Sequence, residues 1–195
     1  MKLILASNSP RRRELLAGLG LDFEVRVLPG IDESHPADLR EGDIPLYISR
    51  VKADAYLPTL ADDELLITAD TIVWLDGQVL EKPHDEADAE RMLSNLSGQT
   101  HQVYTGVCLT TKQKQVAFSC RSDVTFATLT DDEIHYYVQH YRPMDKAGAY
   151  GVQEWIGYIG VERIEGSFFN VVGLPVQRLY QALKKNFNIQ IISNS

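Results

Sequence analysis

Cysteine is almost missing from this chain. Only Cys108 and Cys120 occur among 195 residues, and their separation matches neither a zinc ligand pair nor a redox motif. A disulfide framework is therefore excluded, and both residues, set in β-like stretches, are expected as buried reduced thiols. Long apolar runs are missing too. No stretch approaches the ~20 residues of a membrane span. The opening MKLILA carries an apolar run shorter than the ~7–15 residues of a signal-peptide core. A cytoplasmic location without membrane association is expected. Positive charge is scarce: Lys and Arg number 19 against 27 Asp and Glu, a net charge of -8. Nucleic-acid polymers are bound by broad basic surfaces, so any anion held here should be small and locally gripped. The signatures G-x-x-x-x-G-K-[ST], G-x-G-x-x-G, H-E-x-x-H and G-x-S-x-G are all absent. The five histidines, at 35, 84, 101, 135 and 140, lack ligand spacing and read as surface or satisfied core residues.

What is present is ordinary in bulk, 44% hydrophobic and 24% charged, and informative in order. Leu3–Ala6 reads as a buried strand. Ser9 and Pro10 open a helix that stops at Gly18 or Gly20. Phe23, Val25 and Val27 alternate as a strand. A helix from about Asp43 shows an apolar stripe of Ile44, Tyr47, Ile48, Val51 and Ala55. Leu65–Leu75 is apolar apart from its centre, and Asp76-Gly77 predicts a type I′ hairpin returning through Val79-Leu80. A helix over about 85–96, long strands over 103–110 and 116–126, a capping box at Thr130–Glu133 and a last helix over 176–185 follow. Alternating strands and helices with hairpins among them predict an α/β protein with a mixed sheet. One domain over 1–185, with a tail over 186–195, is expected.

One cluster runs against simple electrostatics. In SNSPRRREL, residues 7–15, three arginines sit at a helix N-terminus, already the positive end of the helix dipole. Free N–H groups at such an end bind anions, and arginine adds bidentate bonds to phosphate. The alternative is three solvated side chains. A basic triple spreads around a helix, so at most two members can face one ligand.

Asp70 is the most informative acid. It interrupts an apolar strand, where a carboxylate is costly unless paired or metal-bound. A structural salt bridge and a catalytic or metal-binding carboxylate at a strand end fit it equally. Lys52, Lys82 and Lys146, taken singly, read as solvated lysines. Asp32-Glu33 reads as an acidic loop, and Gln153 alone is unremarkable.

Together these segments resemble a known family. ASNSPRRREL, Asp32-Glu33, Lys52-Ala53, ADT at 69–71, EKP at 81–83, SGQTHQVYTGV at 97–107, DKAGAYGVQ at 145–153 and EGSFFNVVGLP at 165–175 resemble, in order, the Maf proteins. These are also called septum formation inhibitors and are similar to house-cleaning nucleoside triphosphate pyrophosphatases. The resemblance implies a mixed twisted sheet flanked by helices, with two lobes around a cleft, a fold like that of inosine triphosphate pyrophosphatases. It implies a cytoplasmic homodimer, a divalent cation (Mg²⁺ or Mn²⁺) and cleavage of a nucleoside triphosphate between its α and β phosphates. Asp70 matches the family's proton acceptor, and with Glu33 it would approach the metal. Arg12, Thr71 and Gln153 match positions tied to base selection. Ser9, Arg13, Lys52, Lys82 and Lys146 match triphosphate-binding positions, and Asp145 another polar position of the cleft.

The sub-group similar to 7-methylguanosine triphosphate pyrophosphatases typically carries tryptophan and glutamate where this chain has Arg12 and Gln153. An aromatic face and a carboxylate suit a cationic base. A neutral glutamine suits the O4 and N3–H edge of uracil or thymine. The resemblance thus implies dTTP and UTP, and modified pyrimidine nucleotides besides. A nucleotide-binding regulator of septum formation acting without turnover is the rival reading. An acid embedded in an apolar strand favours catalysis, since binding alone needs no base.

Overall fold

The computed structural model describes residues 1–189. Seven strands form one mixed sheet. β1 (Lys2–Leu5) pairs in parallel with β2 (Phe23–Val25) on one side and with β3 (Glu64–Leu75) on the other. The far half of β3 turns back antiparallel into β4 (Gln78–Leu80). Beyond β3 the order continues through β5 (Thr100–Thr110), β6 (Gln115–Phe126) and β7 (Val161–Glu165), the last antiparallel to β6. The helices are α1 (Pro10–Ala17), α2 (Asp43–Tyr56), α3 (Glu86–Leu96), α4 (Asp131–Tyr141), α5 (Trp155–Gly160), α6 (Phe168–Val172) and α7 (Val176–Phe187). None among the described residues is long and apolar enough to cross a membrane.

Local sequence accounts for many of the boundaries. Ser9 caps α1, its hydroxyl accepting from the Arg12 N–H at 3.4 Å, with Pro10 at the first helical position. Asp76 and Gly77 both have positive φ, 48° and 83°, as a type I′ turn requires. Thr130 and Glu133 close both bonds of a capping box on α4. α7 runs to Phe187, two residues past the expected end. Phe187 is a buried core residue, and Asn188 closes the helix in the left-handed region at φ 53°. Of the expected tail, residues 190–195 lie outside the described residues.

The chain divides into two compact units, one formed by residues 1–70, 105–120 and 173 onward, the other by 71–104 and 121–172. The division crosses β3 between Asp70 and Thr71. In the first unit the two-residue strand period separates two cores. Leu3, Leu5, Leu65, Ile67, Val107 and Leu109 pack with Leu16 of α1 and with Leu179 and Leu183 of α7. On the opposite face Ile4, Leu66 and Cys108 pack with Ala53 and Tyr56 of α2. The second unit has its own core, in which Val73, Val124 and Phe126 meet Leu93 and Leu96 of α3, Tyr137 and Val138 of α4, and Ile156 of α5.

Two expectations need correction. The buried face of α2 is Ile44, Pro45, Ile48, Ser49, Ala53 and Tyr56, while Tyr47 is 38% exposed and Ala55 is exposed. The cause lies in β5. A Cβ built on Gly106 would fall inside the Pro45 carbonyl group, so the first turn of α2 lies directly against that strand. Contact this close brings small and polar positions inward, and the Ser49 carbonyl accepts from the Thr68 hydroxyl at 2.7 Å. The second correction concerns the thiols. Both are free, but only Cys108 is buried, and Cys120 is half-buried.

Candidate active site

β3 is buried along its whole length except at Asp70 and Thr71. Asp70 therefore sits in mid-strand, six residues from the start of a 12-residue element, and not at the strand end that one of its two readings supposed. Opposite it α2 presents Lys52, whose Nζ donates to Asp70 Oδ1 at 2.9 Å and pairs with Glu33 Oε2 at 3.0 Å. The Lys52 and Asp70 side chains are only 13% and 14% exposed, while Glu33, on its loop, is 55% exposed. The ammonium thus bridges two carboxylates that approach from separate elements. The salt bridge foreseen for Asp70 exists, and it includes a second acid close enough to share one cation.

Arg12 completes this group from α1. Its Nε donates to the Gly173 carbonyl and its Nη1 to the Ala69 carbonyl, each at 2.9 Å. Burial lowers the guanidinium pKa below its ordinary value, and the Asp70 charge opposes that fall. Arg12 therefore ties the residue before Asp70 to the loop before α7. Gly173 has φ 129°, a conformation that side-chain-bearing residues rarely adopt. Ser9 serves as the α1 cap, and its own N–H donates to the Ser7 hydroxyl at 3.2 Å. Arg13 is exposed.

The second unit holds the remaining candidates. Lys82 is exposed just after β4, and Thr71 is half-buried. The glycine-broken segment 145–153 is firmly held. Gly148 and Ala149 both take left-handed backbone, at φ 66° and 58°. The Gly148 N–H donates to the Glu81 carbonyl at 3.1 Å, and a Cβ there would press on Val73 at 2.9 Å. Lys146, which taken singly read as a solvated lysine and by resemblance as a triphosphate-binding one, is buried. Its Nζ pairs with Asp145 at 2.8 Å and with Glu154 at 3.2 Å. The amide oxygen of Gln153 is buried without a hydrogen-bond partner.

The structure therefore gathers Glu33, Lys52, Asp70 and Arg12 in one group, and Asp145 and Lys146 in another. Arg13, Lys82 and Gln153 join neither ion cluster. Sequence reasoning passed over Glu154 and the Tyr137 hydroxyl that meets it. Tyr137 read only as one position of a helical stripe. It also passed over His101, a buried residue with Nε2 2.7 Å from the Tyr150 hydroxyl and Nδ1 unpartnered.

No group of three or more His, Cys, Asp or Glu among the described residues is arranged to hold a metal. Glu33 and Asp70 do converge on one cation position. Two carboxylates fit Mg²⁺ or Mn²⁺, hard ions that keep waters and take phosphate oxygens, and do not fit a closed all-protein site.

Residues 2–186 match the family of Maf-like proteins. The chain belongs to that family. It is 65% identical to a protein of Phocaeicola vulgatus named dTTP/UTP pyrophosphatase, covering 94% of this chain and 95% of the relative. Identically named proteins of Parabacteroides distasonis and Flavobacterium psychrophilum are 63% and 50% identical, covering 95% and 91% of their own lengths. Among solved structures, the Staphylococcus aureus Ham1 protein aligns with 96% of this chain at TM-score 0.56 and 16% identity. A HAM1 protein from Coxiella burnetii aligns with 95% at TM-score 0.51 and 13% identity. These two likenesses establish the mixed α/β fold alone.

Proposed function

We propose that this Maf-like protein hydrolyses dTTP and UTP, and modified pyrimidine nucleotides of the same base edge, to the monophosphate and pyrophosphate. Its high identity to proteins named for that activity supports the reaction. The observation that carries the site is the Glu33–Lys52–Asp70 ion cluster, whose Asp70 interrupts an otherwise buried strand. Water attacks the α-phosphorus, and the bond from that phosphorus to the α,β-bridging oxygen breaks. Pyrophosphate leaves with the electron pair, and Asp70 accepts the proton from the attacking water. The step is mostly positioning and charge neutralisation. Lys52 already holds the Asp70 carboxylate in place and meets triphosphate oxygens from the same position. Arg13, Lys82, Lys146 and Ser9 are the further phosphate-binding groups, and Asp145 orients Lys146. Glu33 and Asp70 would hold the divalent cation, which when bound neutralises phosphate charge.

Arg12 sets the strand from which Asp70 projects, and its influence on base choice is exerted beside Thr71. Gln153 reads the base. Its unpartnered amide oxygen suits the N3–H of uracil or thymine, and its amide NH₂ suits O4. The proposal includes a cytoplasmic homodimer, whose oligomeric state sedimentation would test. The deciding experiment incubates the protein with a nucleotide panel plus Mg²⁺ or Mn²⁺ and identifies the products. Pyrophosphate with the monophosphate, from dTTP and UTP above other nucleotides, is expected. Orthophosphate would make it a phosphatase, and nucleotide binding without product would make it a binding protein.

A further inference from the structure

Beside the glycine-broken segment the buried Tyr137 and the half-buried Glu154, neither of which the proposed reaction uses, form a chain of contacts that ends on the buried Lys146. Tyr137 lies on the inner face of α4 and is fully buried. Its hydroxyl donates to Glu154 Oε2 and accepts from the Gly151 N–H at 3.0 Å. The other oxygen of Glu154 pairs with Lys146 Nζ at 3.2 Å. Gly151 lies beneath this contact. A Cβ there would meet the Glu154 carboxyl carbon at 2.9 Å and Lys146 Cε at 3.0 Å. The two side chains thus close over bare backbone, and the tyrosine hydroxyl fastens both the carboxylate and the peptide N–H. Burial and the adjoining Glu154 charge push the Tyr137 pKa far above its ordinary value, so the hydroxyl remains a donor at any working pH.

We infer that Tyr137 and Glu154 are positioning residues that fix the Lys146 ammonium and the backbone entering Gln153, and so set how tightly the pyrimidine triphosphate is held. This rests on the function proposed above. A lysine has four rotatable side-chain bonds, and a carboxylate held at one oxygen by a buried hydroxyl presents the other in one place. Lys146 is thereby localised before substrate arrives, which lowers the entropy lost on binding. Gln153 immediately precedes Glu154, and Gly151 lies two residues before Gln153. The tyrosine therefore grips the chain on both sides of the base-reading residue.

The test uses the full chain with Mg²⁺ and dTTP, and compares wild type, Tyr137→Phe, Glu154→Gln and the double variant. Thermal melts establish that each is folded at the assay temperature. Tyr137→Phe is expected to raise KM for dTTP about tenfold or more, on the scale of one lost hydrogen bond to a charged group, with kcat within about threefold. Glu154→Gln keeps the shape and a partner for the hydroxyl but loses the charge that holds Lys146, and KM should rise similarly. The double variant should raise KM no further than the larger single, because all act through Lys146. An unchanged KM in folded single variants overturns the inference, as do increases that multiply in the double. A merely structural role would lower melting temperature and active fraction, so a fall in kcat at constant KM also overturns it. Failure of the wild type to release pyrophosphate defeats the proposed function itself, an outcome distinct from active wild type with unaltered variants.

Discussion

Acidifying the solution should weaken the folded state through His101, by an amount the structure sets. The ring is fully buried on β5, with Nε2 at the Tyr150 hydroxyl and the edge of Phe126 packed at 5.1 Å between ring centroids. Burial drives its pKa from 6.5 down to about 4, opposed only by the Asp123 charge. Between these values the unfolded chain binds a proton at this residue and the folded chain does not. Stability therefore rises with pH across the window and falls as pH drops from about 6.5 toward about 4. A difference of about 2.5 units at about 1.36 kcal/mol each corresponds to roughly 3 kcal/mol. Glu64 is held at about 2 by Arg26, from an ordinary 4.5, so its own contribution is lost only below about pH 4.5. The assay is urea unfolding at pH 7, 6, 5 and 4.5 for wild type and His101→Gln, a variant that keeps a hydrogen-bonding group for Tyr150. Wild type should lose roughly 2 kcal/mol more than the variant between pH 7 and pH 4.5, since the full difference is reached only below the folded pKa of about 4. Parallel stability curves between pH 6.5 and 5 would refute the assignment of this acid sensitivity to His101.

Two further substitutions address the site. Arg12→Met removes two charged hydrogen bonds to backbone carbonyls and should destabilise the fold by about 3 kcal/mol. It should lower turnover and, through the lost tie to the Ala69 carbonyl beside Thr71, weaken the preference for dTTP and UTP in step with the loss of stability, as read by urea unfolding and the product panel. A changed base preference at unchanged stability would instead make Arg12 a direct reader of the base. Gln153→Glu replaces the neutral amide by a carboxylate without donors, and kcat/KM for dTTP and UTP should fall at least tenfold. An unaltered substrate profile would remove Gln153 from base recognition.

How much could be read from the sequence depended on how local the cause was. The cap at Ser9, the Asp76-Gly77 turn and the Thr130–Glu133 box are each fixed by interactions within a few residues, and each was legible. The mixed sheet followed from strands alternating with helices and hairpins, and the continuous apolar run of β3 marked Asp70 as an interruption. The α2 face was misread because its orientation depends on Gly106, some sixty positions later, where the missing Cβ admits Pro45. The partners of Asp70 were equally hidden, since Lys52 and Glu33 reach it only through the packing of α2 and a loop against β3. Lys146, taken singly, read as solvated because nothing nearby in sequence, apart from Asp145, shows that Glu154 pairs with it or that Tyr137 holds Glu154. Arg12 read as a contact to the base, and the carbonyls that accept from it, at Ala69 and Gly173, were hidden because they come from distant parts of the chain.

The central claim is that Asp70 accepts the proton in cleavage at the α-phosphorus. The direct measurement is single-turnover hydrolysis of dTTP with Mg²⁺ by wild type and Asp70→Asn, with nucleotide affinity measured alongside. The amide keeps an oxygen for Lys52 at nearly the same place but is no proton acceptor at neutral pH. The account predicts dTMP and pyrophosphate from wild type, and a rate at least about 10²-fold lower from the variant with dTTP affinity largely kept. Turnover near the wild-type rate by a folded Asp70→Asn protein would contradict it.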